Sequence, residues 1–140
     1  MIVLDTSGLL AAIDSSQRSH SAVRELLNEV TVPLILSPFV LAELDYLLTT
    51  RVSNDAELAL PEEVASGAYT LATFSGRDVD EARHIIERYD GLGIGLADAS
   101  NVVLANRHDT LDVLTLDERH FRVLRGTGDR PFRLLPADAG

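Results

Sequence analysis

The chain has 140 residues, 46% of them hydrophobic and 24% charged, with a formal net charge of −10. These values fit one globular domain, 1–140, with a full core, and exclude a disordered chain; no apolar run reaches the roughly 18 residues of a membrane span. The absence of cysteine excludes disulfides, thiolate zinc sites and cysteine nucleophiles, and the negative charge excludes a diffuse, purely electrostatic grip on nucleic acid.

The chain enters directly as Met1-Ile2-Val3-Leu4-Asp5, with no basic segment ahead, so a cytoplasmic protein without a secretory signal is expected. Ile2 to Asp5 reads as the first strand, followed by a short helical turn through Leu9 to Ile13. His20 to Val30 places Val23, Leu26, Leu27 and Val30 at helical spacing. Leu34–Leu36 is a short strand, and Ser37-Pro38 is an N-cap followed by proline at the first helical position. From about Asn54 to Ser66 a helix with a break or new start at Pro61 is expected, closed by Gly67. Tyr69 to Phe74 reads as a third strand.

Asp78 with Glu81 resembles a capping box, and Val79, Ala82, Ile85, Ile86 and Tyr89 then form a helical face that Gly91 stops. A further helix carries Asp98 and runs to about Arg107. Val113 to Leu116 is the fourth strand and Phe132 to Leu135 the last. Apolar strands alternating with helices predict an α/β fold with a mainly parallel sheet.

Four carboxylates stand where acids are least expected. Asp5 ends the first apolar strand, Asp117 ends the strand-like run Val113 to Leu116, Asp98 opens an apolar helix, and Glu43 shares a helical face with Phe39, Val40 and Leu47. Asp45, two residues along, points elsewhere and is read as solvated. Each acid alone has a structural reading: a turn residue at Asp5 or Asp117, a partner of the helix dipole at Asp98. Glu43 has the weakest of these, since a core-facing acid needs a partner. Burying an ionised carboxylate is costly unless it is paired or holds metal. Four such positions point to one shared divalent cation site.

Rival chemistries fail on particular residues. An aspartyl-phosphate phosphatase needs a second aspartate two residues after the first, where this chain has Ser7. Phosphatases of that kind and response-regulator receivers also use a lysine, and all 12 basic residues here are arginine. A Walker A loop is absent, and Gly91-Leu92-Gly93-Ile94-Gly95 follows a helix and has Leu96 where a dinucleotide loop has its third glycine. The histidines His20, His84, His108 and His120 show no ligand spacing and read as surface or structural. His120 draws the most notice, being close after Asp117. Arg119, Arg122, Arg125, Arg130 and Arg133 are opposed only by Asp129; they read as a solvated loop, as a phosphate-contacting rim beside Asp117, or as a surface for an acidic partner.

At these residues the chain resembles a PIN domain, specifically a VapC-type toxin ribonuclease of type II toxin–antitoxin pairs. The resemblance is carried by Val3-Leu4-Asp5-Thr6-Ser7, by Ser37-Pro38 through Ala42-Glu43-Leu44, by Leu96-Ala97-Asp98-Ala99, and by Thr115-Leu116-Asp117 with Arg119 and Phe121. Each fragment is weak alone; four in register span nearly the whole chain. The resemblance implies a three-layer α/β/α sandwich around about five strands and endoribonuclease activity dependent on Mg2+ or Mn2+. It implies a homodimer, a VapB-like antitoxin and possible larger toxin–antitoxin assemblies. Asp5 and Asp98 would be the principal metal ligands, and Glu43 and Asp117 would complete the acidic pocket. Thr6, Ser7, Asn101 and Thr115 would support those ligands, and Arg119, Arg122 and Arg125 would contact RNA. A DNA-directed nuclease of the same fold and a non-catalytic interaction protein are the alternatives.

Overall fold

The computed structural model describes residues 1–140. Five short strands form the sheet: β1 (Ile2–Leu4), β2 (Leu34–Leu36), β3 (Thr70–Leu71), β4 (Asp112–Leu114) and β5 (Arg133–Leu135). All four pairings are parallel and the spatial order is β3-β2-β1-β4-β5. The helices are α1 (Thr6–Ile13), α2 (His20–Glu29), α3 (Pro38–Arg51), α4 (Asn54–Ala65), α5 (Gly76–Arg88), α6 (Leu96–Arg107) and α7 (Glu118–Phe121).

Strand alternation divides the core in two. Ile2 and Leu4 point to one face, where they pack with Leu9 of α1, Val23 of α2, Val40, Leu44 and Leu48 of α3 and Leu60 of α4. Val3, between them, points to the other face and meets Val102 and Leu104 of α6 and Phe121 of α7. Each fully buried leucine contributes roughly 1.5–3 kcal/mol through apolar burial. The result is the three-layer sandwich expected. No helix is long and apolar enough to cross a membrane.

Local chemistry sets the helix starts. Ser37 Oγ accepts from the Phe39 N–H at 3.1 Å with Pro38 at the first helical position, and Ser53 Oγ caps α4 by accepting from Ala56 N–H at 3.1 Å. The capping box of α5 is Ser75 with Asp78, three residues earlier than the expected start at Asp78; Asp78 is its third helical residue. Pro61 does not break α4, which continues through it. Its side lies exposed, beside buried Leu60, so the forfeited N–H bond falls on the solvent face. The third strand is two residues rather than six, because it pairs only at the sheet edge. Arg119 to Phe121, read as loop, belongs to α7.

Topology also marks a position for a site. From β1 the chain moves to β2 on one side, while β4 lies on the other, so the crevice between the carboxyl ends of β1 and β4 is the switch point of the sheet. Gly8 lets α1 lie directly on β4 there: a Cβ at this position would sit 2.7 Å from the Leu114 carbonyl carbon and 2.8 Å from its Cγ. The Asp5 N–H donates to Leu114 O at 2.9 Å, tying the end of β1 to the end of β4.

Candidate functional site

A cleft of about 320 Å3 opens at this switch point, lined by Asp5, Glu43, Asp98 and Asp117 together with Thr6, Ser7, Leu10, Leu47, Gly95, Leu96, Ala97 and His120. The four acids arrive from four segments of chain. Asp5 stands at the N-cap position of α1, at the end of β1, without capping it through its side chain; Glu43 comes from the second turn of α3, Asp98 from the first turn of α6, and Asp117 caps α7 after β4. Neither lysine nor arginine is among the lining residues.

Asp5 is 5% exposed, and hydroxyl groups fix its carboxylate. Thr115 Oγ1 donates to Asp5 Oδ2 at 2.7 Å and Ser7 Oγ donates to the same oxygen at 3.0 Å. Each hydroxyl has one proton, so the 3.2 Å approach of Ser7 to Thr115 is a packing contact and not a further hydrogen bond. Their lone pairs are used as well: Ser7 Oγ accepts from Leu116 N–H at 2.9 Å, and Thr115 Oγ1 accepts from Asp117 N–H at 2.9 Å. The two hydroxyls therefore latch Asp5 to the loop that presents Asp117. Asp5 Oδ1 has only a 3.5 Å approach from Asn101 Nδ2. One oxygen is held and the other is available to a ligand.

Electrostatics register the crowding. Burial pushes the Asp5 carboxyl up to about 6; hydrogen bonds from Thr115 and Ser7 pull against this rise, and the charge of Asp98 adds to it. Asp98 is raised chiefly by burial, with Asp117 and Glu43 adding repulsion and His120 opposing it. Behind Asp98, Ser100 Oγ donates to Ala97 O at 2.7 Å, so its 2.7 Å bond with Ser37 has Ser37 as the donor. This buried chain joins the α3 and α6 N-termini and holds Glu43 and Asp98 on facing elements.

Glu43 departs from the expected position. The buried stripe of α3 is Val40, Leu44 and Leu48; Glu43 lies about 100° away from Leu44 and is exposed on the rim of the cleft. It lines the site without entering the core. Asp45 is half-buried and close to Glu57 of α4, and its proximity raises the Glu57 carboxyl.

His120 is the residue the sequence reading undervalued. It is 7% exposed, and its Nδ1 lies 2.9 Å from Asp117 Oδ2 and 3.3 Å from Asp98 Oδ2. Despite these distances Nδ1 makes no hydrogen bond of acceptable geometry. The signal available was its place three residues after Asp117, which becomes visible only once α7 is known to be a helix.

The arginines fall outside the cleft. Arg122 is occupied by Glu118, at 2.7 Å, and by Asp138, at 2.7 and 2.9 Å. Arg119 is exposed and forms no ion pair, and Arg125 is half-buried with its N–H donated to Tyr89. None of the three lines the acidic cleft.

The donor set suits a hard divalent cation, for which carboxylate oxygens are the preferred protein ligands. Three buried side-chain atoms lack partners, Thr6 Oγ1, Asn101 Oδ1 and His120 Nδ1, and all three residues belong to this site or touch it. Buried polar atoms without partners are uncommon, and their clustering beside repelling acids fits a bound ion with retained water.

Comparisons with known proteins place the chain in a family. The PIN domain family model matches residues 2–126. Ribonuclease VapC26 of Mycobacterium tuberculosis is 46% identical over 135 residues, covering 96% of this chain and 100% of that protein. Among solved structures, M. tuberculosis VapC20, described as a sarcin-ricin loop cleaving toxin, superposes with a TM-score of 0.78 at 20% identity, over 84% of this chain and 90% of that one. VapBC2 of Rickettsia felis, bound to a DNA fragment from its promoter, gives a TM-score of 0.66 at 22% identity, over 96% and 98% of the respective chains.

Proposed function

The chain belongs to the PIN-domain family and, within it, to the VapC group, and on that premise we propose that it is a metal-dependent endoribonuclease acting as a toxin. The observation that carries this reading is the convergence of Asp5, Glu43, Asp98 and Asp117, from four separate segments, on one cleft without a basic counter-ion. Its near-complete alignment with a protein named a ribonuclease supports RNA as the substrate.

Asp5 Oδ1 and the Asp98 carboxylate would hold a Mg2+ or Mn2+ ion. When bound, such a cation offsets phosphate charge and acidifies water. Asp117, fixed through its N–H to Thr115 and through Oδ1 to the His120 N–H at 3.2 Å, would close the acidic wall. Glu43, exposed on the rim, is placed to accept a proton from the attacking water or orient it. Ser7 and Thr115 keep the Asp5 carboxylate from rotating, which would leave Oδ1 for the cation. The acids also repel a phosphodiester until their charge is balanced, which makes the cation a requirement for substrate binding as well as cleavage.

Protein partners follow from the same family membership. Related structures contain VapB-type partners, and Tyr46 (67% exposed) and Leu58 (64% exposed), on adjacent helices α3 and α4, supply apolar surface for an antitoxin. A homodimer is part of this proposal.

Matched RNA and DNA strands incubated with purified protein and saturating Mn2+ or Mg2+ test the substrate class. Cleavage of RNA with DNA spared is expected. Preferential cutting of DNA would replace the ribonuclease by a DNA-directed enzyme, and intact strands of both kinds would favour a non-catalytic interaction protein.

A further inference from the structure

We propose that His120 is a nitrogen ligand of the cation in this cleft and biases the site toward manganese over magnesium. The inference rests on the metal-dependent reading above and adds to it a residue outside the acidic set.

The geometry is specific to this side chain. The one-turn helix α7 begins at its cap Asp117 and brings His120 round to the same side three residues later. Ligand atoms of Asp98, Asp117 and His120 all lie within 4.8 Å of one another. The nitrogen-to-oxygen separations of 2.9 and 3.3 Å match the edge of an octahedron, about 3 Å for ligands at roughly 2.1 Å from the ion. His120 Nδ1 is buried without a hydrogen-bond partner, although acceptor oxygens are within reach. By contrast, Nδ1 of His20 is satisfied by Ala11 O at 2.7 Å, as a histidine with a structural duty should be.

Chemistry then gives the metal preference. Carboxylate and water oxygens suit magnesium and manganese alike, whereas imidazole favours transition ions. A mixed set of two or three carboxylates and one imidazole therefore discriminates where an all-oxygen set would not.

The test uses the full chain and Mn2+ alone as probe. Pulsed EPR of the Mn2+-loaded wild type should show the 14N modulation of a directly bound imidazole. His120→Gln offers an oxygen in place of nitrogen; it should abolish that modulation and lower the Mn2+/Mg2+ affinity ratio, measured by calorimetry, about tenfold. Thermal melts establish that the variant is folded, and if it is not, the wild-type spectrum decides by itself. Mn2+ bound without 14N coupling would overturn the inference and leave the metal-dependent nuclease standing. Failure of the wild type to bind either ion would overturn both.

Discussion

Asp5 shows how a single buried acid links stability to chemistry. Its carboxyl titrates near 6 in the folded protein, against 3.8 for an ordinary aspartate, chiefly because burial disfavours the charge. Between those pH values the folded chain retains a proton that the unfolded chain has released. Metal-free stability therefore falls as pH rises through the window, and the penalty is complete above about 6. In EDTA at pH 8, Asp5→Asn should stabilise the fold by up to about 3 kcal/mol, with the difference vanishing near pH 4. Paired melts at the two pH values check this; a mutant less stable than wild type at pH 8 would contradict it. Glu43 and Asp45 give a second comparison, since Glu43 lines the cleft and Asp45 faces Glu57 on α4. Glu43→Gln should slow RNA cleavage at least tenfold more than Asp45→Asn, in line with typical acid–base contributions of about 100-fold or more. Equal rates would remove Glu43 from the machinery. Asp5, Asp98 and Asp117 were legible because apolar surroundings made them anomalous, whereas Glu43 was singled out by a core-facing position that it does not occupy. The burial of His120 was not legible, because no local pattern distinguishes a buried histidine from a surface one.

At the scale of elements, α7 decides what the arginines do. Four residues are too few to carry a periodicity, so the segment after Asp117 read as loop and its arginines equally as a solvated loop, a phosphate-contacting rim or a surface for an acidic partner. Folded as a helical turn, it points Arg122 at Glu118 one turn away and at Asp138 near the C-terminus. Asp138 in turn accepts from Leu134 N–H at 2.8 Å, and its carboxyl is lowered to about 2, chiefly by the Arg122 hydrogen bond. Arg122 thus fastens the tail, which Asp138 ties to β5, to the end of α7, while Arg119 is left exposed without an ion-pair partner, outside the cleft. Arg119→Gln should reduce the slope of log RNA affinity against log salt by roughly 0.7, and Arg122→Gln should leave that slope alone while accelerating amide exchange around Leu134. Fluorescent RNA titrations and hydrogen exchange distinguish the two; a slope change for Arg122→Gln alone would reverse the assignment. Helices α2 and α3 and strand β2 were readable from caps and spacing. α6 shows why others are harder: Ala99 to Ala105 are all buried, so no polar face marks its orientation, and its role was signalled only by Asp98.

For the molecule as a whole, charge and topology pull in opposite directions. A chain of net charge −10 repels a polyanion, yet the parallel sheet gathers its most crowded acids at the switch point where a substrate would bind. On the proposed reading a divalent cation reconciles the two, and without it neither binding nor cleavage should occur. The decisive measurement is the cleavage rate of a fluorescent RNA by wild type and by Asp98→Asn, each with Mn2+ or Mg2+ and with EDTA, on proteins shown by melting to be folded. Wild type should cleave only with metal, and Asp98→Asn should be slower by about 100-fold or more under the same conditions. Metal-independent cleavage, or a folded Asp98→Asn protein cutting at the wild-type rate, would contradict a catalytic acidic metal centre.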